Sequence, residues 1–189
     1  MDIEKLFNVA VDEMRNGQYE EAAKHFDMVV IEAGNHPDAH FYRAYCKCHV
    51  GTLGDIPNQA VLFTNAFYKY VDSLAALPSQ EEKERKMDEA VKKLSELTSY
   101  FSSNGSRTMF TAPSVGLSIN NAAKRMSDSC ANKIKIAGIK VNTASLEQVN
   151  KSSAENKNGI KVLIGIIALG VIAWLIYEIV TWIQIGNLY

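Results

Sequence analysis

Five candidate metal ligands fall between positions 36 and 49: His36, His40, Cys46, Cys48 and His49. Imidazoles and thiols gathered this closely are the material of a zinc site or a haem attachment. Their spacing argues against both. On one helix Cys46 and Cys48 point about 200° apart, and Cys-Lys-Cys-His is one residue short of the haem-attachment pattern. His36 and His40 share a face only if a helix begins before Pro37, and no second cysteine pair completes a tetrahedron. The expectation is no metal and no cofactor. Nucleophilic or phosphate chemistry has no better footing: there is no glycine-rich phosphate loop, no G-x-S-x-G and no H-E-x-x-H. Glu20 with Glu21, and Glu81 with Glu82, stand at helix starts, where they complement the dipole. The expectation is therefore a protein that is not an enzyme. By elimination the loop at 107–116 is the remaining functional segment, although packing of its Met109, Phe110 and Val115 under a bundle is the commoner outcome.

The elements that carry these residues are all helical. Apolar residues recur at steps of three and four throughout, and no alternating strand pattern lasts more than a few residues. Helices are predicted over 2–15, 19–33 and 37–51, with Asn16-Gly17 and Gly34-Asn35 as stops and Pro37 in a first turn. A turn-rich connector through Pro57 follows. Ala60, Phe63, Phe67, Tyr70, Leu74 and Leu77 then form a heptad seam on a helix at 58–77. Ser79 and Glu82 offer a capping box to a second long helix, 79–101, whose seam includes Met87, Val91, Leu94 and Phe101. These two are expected to pair antiparallel, with a third helix at 118–137 completing the layer. The domain plan is a hairpin region at 1–57, a long-helix bundle at 58–141 and a polar basic linker at 142–161.

The run VLIGIIALGVIAWLIY begins at Val162, and Glu178 is the only ionised residue between Val162 and Ile185. About 20 such residues cross a hydrocarbon core of roughly 30 Å, so a transmembrane helix is expected at 162–183. Trp174, Tyr177 and Trp182 are its expected interfacial anchors. Lys151, Lys157 and Lys161 precede the span and no Lys or Arg follows it, which puts the N-terminal domain on the cytoplasmic side. The same three lysines are candidates for contact with anionic lipid. Met1–Lys5 lacks the start of a signal peptide, so the expectation is a tail-anchored, single-pass protein with a short non-cytoplasmic tail at 184–189. No basic residue stands in that tail, and a bacterial inner membrane fits better than a eukaryotic endomembrane. Cys46, Cys48 and Cys130 are an odd, scattered set that suits a reducing compartment. Residues 1–100 hold 11 basic and 17 acidic side chains, a balance of −6, whereas 118–161 hold 8 and 3, a balance of +5. A net charge of −1 gives no support to nucleic-acid binding.

One segment carries a resemblance. Ala10, Gly17, Tyr19, Ala22, Phe26 and Pro37 follow the small-residue, turn and aromatic spacing of a helical hairpin repeat, so residues 3–57 resemble the tetratricopeptide-repeat family. Leu6 stands where that family usually has tryptophan, and a second unit, with Ala44 and Gly51, is degenerate. The resemblance implies a partner-binding inner face formed by the first helix of each unit. Carried onto this chain, that face is Glu4, Phe7, Val11 and Met14, with Asp38, Phe41, Tyr45 and His49. Coverage of Phe7, Phe41 and Tyr45 by the long helices at 58–77 and 79–101 is the commoner outcome for such a face, with an open face as the alternative. The function implied is a membrane-anchored adaptor or scaffold that binds a protein partner. The alternatives are a self-associating structural subunit, in which homo-oligomers form, and a small-ligand regulatory module.

Overall fold

The computed structural model describes residues 2–141. The expected linker, membrane span and anchors, including Lys151, Lys157, Lys161, Trp174, Tyr177 and Trp182, lie outside the described residues. Within them the chain is all-α: α1 Ile3–Arg15, α2 Tyr19–Ala33, α3 Pro37–Lys47, α4 Ile56–Ala75, α5 Gln80–Thr108 and α6 Pro113–Ala137, with a short 3-10 turn at Leu53–Asp55 before α4. No helix among the described residues is long and apolar enough to cross a membrane.

Local chemistry sets the boundaries. The Asp2 side chain caps α1 by accepting from the Lys5 amide at 3.2 Å. Gly17, at φ 78°, supplies the left-handed residue that turns the chain from α1 into α2. His36 caps α3, its Nδ1 accepting from the Ala39 amide at 3.2 Å, and Pro37 occupies the first turn, where its missing amide costs nothing. Ser79 accepts from the Glu82 amide at 3.3 Å to start α5, while the Glu82 carboxylate lies 3.7 Å from Lys86.

Packing runs in chain order from α1 to α4, and α6 then lies along both α4 and α5. Ala10 and Ala22 are fully buried where α1 and α2 approach, with Phe26 beneath them. An aromatic group of Phe41, Phe63, Phe67 and Tyr70 joins α3 to α4. Met87, Leu94, Leu97 and Phe101 of α5 fill the other end of the same core with Ile119, Met126 and Cys130 of α6. All the described residues belong to one compact unit.

Three expectations are corrected. The third helix ends at Lys47, short of Gly51, and a turn continues the chain to the connector. The two heptad helices do not form the main pair, because α6 packs along each of them more extensively than they pack on each other. The buried face of α6 intersperses small residues (Ala123, Ser127, Cys130) with Ile119, Met126 and Ile134, and the small positions allow a close approach to its neighbours. Tyr68 of α4 donates to the Ser129 carbonyl at 3.2 Å, and Lys133 of α6 pairs with Asp72 at 2.6 Å. Lastly, Ser102-Ser-Asn-Gly-Ser106 does not break α5, which continues to Thr108, and α6 begins at Pro113, so the ten-residue loop shrinks to 109–112. The Asn104 amide and the Thr108 hydroxyl each bond to a carbonyl one turn back, at 2.9 and 2.8 Å, satisfying their polar groups inside the helix. Gly105 and Gly116 are both buried where α5 and α6 cross, and their missing side chains let the two backbones meet. At the tip Met109 turns inward toward Asn120, whereas Phe110 is 81% exposed.

Candidate functional site

The face that the repeat resemblance implies is largely closed. Phe41 and Tyr45 are 1% and 2% exposed, and Met14 is buried beside them in the core. Phe41 stacks on Tyr70 of α4 with ring centroids 4.5 Å apart and planes within 9°. The Tyr45 hydroxyl donates to Glu96 of α5 at 2.8 Å, and Lys93 lies 3.0 Å from the same carboxylate and 4.8 Å from the Tyr45 ring. Burial, then the Glu96 carboxylate, pushes the Tyr45 phenol well above its ordinary range. Burial resists ionisation of Glu96, but the bonds from Lys93 and Tyr45 prevail and hold its carboxyl below the usual value.

A cleft of about 400 Å³ between α1, α3 and α5 is what remains of that face, lined by Phe7, Val11, Asp38, Tyr42, Arg85 and Lys86 among others. Phe7 packs its edge on Phe26 at 5.7 Å and lies 4.7 Å from the His36 ring. Asp38 accepts from Tyr70 at 2.7 Å and from Lys86 at 2.8 Å, and Tyr42 donates to Glu89 at 2.7 Å. Asp38, Tyr42, Lys86 and Glu89 of the cleft are thus engaged across the helix interfaces. Glu4 is exposed on α1, outside the cleft lining.

His49 lies under aromatic rings. It stacks on Tyr19 with centroids 4.0 Å apart and meets Tyr100 at 4.7 Å and Tyr45 at 5.0 Å, while its Nε2 is buried without a hydrogen-bond partner. Burial lowers its pKa to about 4, with Glu96 opposing and Lys93 reinforcing that shift. The folded-state value is below the unfolded one of 6.5, so the unfolded chain takes up the proton first. The neutral imidazole's contribution is complete above pH 6.5 and is lost as pH falls toward 4. The full linkage is on the order of 3 kcal/mol, and solvent at the ring edge reduces the expectation to about 1–2 kcal/mol. Urea unfolding at pH 7.5 and pH 4.5 should therefore show the wild type losing about that much more than His49→Phe. Equal acid losses would mean that the ring is not held neutral.

His36, His40 and Cys48 have structural partners. The His40 Nε2 donates to the Gly34 carbonyl at 3.1 Å, and the Cys48 thiol points at the Gln59 carbonyl at 3.6 Å. Burial pushes the Cys46 thiol up to about 12 and raises those of Cys48 and Cys130 as well. Among the described residues no group of three His, Cys, Asp or Glu side chains is placed to hold a metal ion.

A larger groove, about 650 Å³, lies between α3 and α4 on the side away from α5's contacts with Tyr42 and Tyr45. Two stripes at helical spacing form it: His40, Ala44 and Lys47 on α3, and Leu62, Ala66, Lys69 and Ser73 on α4. Ala44 and Ala66 give it a shallow, small-residue floor, and Leu62 stands at its edge 65% exposed. Arg43, Lys47 and Lys69 supply its charge, and no carboxylate lines it. Asp27 of α2 lies behind two of these cations, 3.0 Å from Arg43 and 2.9 Å from Lys47.

No protein-family model, curated protein or solved structure matches this chain. The chemistry of the groove is therefore read from its own residues. Sequence reasoning follows the buried seam of the 58–77 helix and passes over the groove, because a cationic and small-residue stripe looks like any solvated face. The available signal is the pair Val61-Leu62, two aliphatics adjacent to a seam that does not need them.

Proposed function

We propose that this chain is a non-enzymatic adaptor, anchored at a membrane by residues 162–183, whose helical domain faces the cytosol and receives a protein partner. The observation that carries this reading is the open groove between α3 and α4, formed on helices that the core holds rigid from the other side. Binding surfaces of this kind are concave, apolar at the floor and polar at the rim. The uncharged run after Val162, preceded by Lys151, Lys157 and Lys161, supports the anchor. The hairpins α1–α2 and α3–α4, with Ala10 and Ala22 buried at a close helix approach, support a tetratricopeptide-like origin for the scaffold.

The competing reading is a structural subunit that assembles with itself. Purified full-length protein in detergent separates them by chemical crosslinking and light scattering. An adaptor is expected to remain monomeric in the absence of its partner. A stable homo-oligomer formed from the purified chain alone would replace the adaptor with the structural subunit.

A further inference from the structure

We infer that the α3–α4 groove takes an acidic amphipathic helix from a partner protein, an aliphatic stripe laid along Ala44, Ala66 and Leu62 and flanked by carboxylates that meet Arg43, Lys47 and Lys69. The inference rests on the adaptor reading and names the partner's chemistry.

Shape comes first. The α4 stripe from Leu62 to Ser73 covers about 16 Å of helix axis, enough for three turns of a docked helix. Packed helices need axes 8–10 Å apart, and a close approach requires small side chains beneath the contact. Ala44 and Ala66 provide them, both half-buried at the groove floor. A docked helix would present residues at i, i+3, i+4 and i+7 to this floor. Leu62 is ready to be covered, since it is 65% exposed on the groove's own edge.

Charge selects the occupant. Residues 1–100 carry a balance of −6, yet the groove within them is lined by three permanent cations and no carboxylate. Asp27 is shared between Arg43 and Lys47, so one carboxylate neutralises two cations only in part, and Lys69 adds a third positive charge on the opposite wall. A basic helix would be repelled from this site. An acidic one would be steered to it and then lose water against the apolar floor. The two walls fix the order of the contacts: cations on both sides, Ala44 and Ala66 between them, and Leu62 at the edge.

The test uses the full chain in detergent micelles and a display library of random 14-residue peptides, with empty micelles for counter-selection. Enriched peptides are expected to carry aliphatic residues at helical spacing with Asp or Glu beside them. A selected peptide should bind the wild type at least tenfold more tightly than Leu62→Asp, and about fivefold more tightly than Lys69→Glu. Both positions are exposed, so unchanged thermal midpoints would certify that the variants fold. Binding should weaken as salt rises from 50 to 300 mM. Enrichment of basic peptides, absence of enrichment, or equal binding to all three proteins would overturn the inference and leave the adaptor reading to other surfaces. Displacement of the peptide by phosphatidylglycerol vesicles on the wild type alone would make the groove a lipid site and overturn it. Self-association that Leu62→Asp abolishes would put a second copy there and remove both readings.

Discussion

Phe41→Ala is expected to cost about 3–5 kcal/mol of stability, which would be a large part of the 5–15 kcal/mol typical of a folded domain. The ring is 1% exposed and holds α3 against α4. It stacks on Tyr70 at 4.5 Å, meets Phe63 at 5.7 Å and Phe67 at 6.1 Å, and touches Tyr42 at 5.4 Å. Its neighbours cannot easily collapse into the space it leaves. Tyr70 is tied to Asp38 and Tyr42 to Glu89 by hydrogen bonds of 2.7 Å, so movement of either ring breaks a partly buried polar contact. The cavity therefore persists, and its cost adds to the lost transfer energy. Urea unfolding of the variant should show the midpoint falling with little change in slope. Leu62→Ala, at the groove edge, should stay within about 0.5 kcal/mol of the wild type. A loss below 1 kcal/mol for Phe41→Ala would contradict the packing described. The same residue also belongs to the face implied by the repeat resemblance, so a binding defect in this variant reports unfolding unless folding is measured beside it.

The legibility of this chain divides along a physical line. Helices α1 and α2 match their predicted bounds to within a residue because Asp2, Asn16-Gly17 and Gly34 act through bonds to their own neighbours. The seam residues Phe63, Phe67, Tyr70 and Leu74 are all buried, as their period requires. The helix through Ser102–Ser106 was hidden for the opposite reason. Its local preference is to break, and only the tertiary fit of Gly105 against α6 rewards continuing. Which helices pair is also a tertiary fact, since the heptad seams of α4 and α5 serve equally well against α6. The candidate site was the least legible part. The repeat resemblance implies a binding face at Phe41, Tyr45 and Met14, yet aromatic and apolar residues at helical spacing serve a groove and a core alike, and here they are core, as the expected cover of Phe41 and Tyr45 by the long helices requires. The open groove is lined instead by alanine, lysine and arginine, whose sequence signal is that of ordinary surface.

Gly116→Ala should produce the second large loss, about 2–3 kcal/mol net, although alanine in a helix interior ordinarily gains about 1 kcal/mol over glycine. A Cβ at this position would lie 2.5 Å from Met109 Cγ, 2.6 Å from the Met109 amide nitrogen and 2.7 Å from the Gly105 carbonyl oxygen. The methionine side chain can swing away, but the other two atoms are backbone. They are bonded to each other, the Met109 amide donating to the Gly105 carbonyl at 3.0 Å in the last turn of α5. Relief therefore requires α6 to move away from α5 as a body, which loosens Ile119 and Ala123 behind it. Gly105→Ala meets the Asn120 side chain, with Cγ at 2.7 Å, and the Gly116 carbonyl at 3.1 Å, so it presses on the same gap from the other helix. If the separation of the helices is the cost, the first substitution makes room for the second, and the double variant should lose less than the sum of the singles. Gly54→Ala supplies the control, because its Cβ would meet only the Thr52 hydroxyl at 3.7 Å, and should stay within about 0.5 kcal/mol of the wild type. Additive losses at 105 and 116 would point instead to two local strains, and a gain at 116 would show that the crossing is wider than the one described.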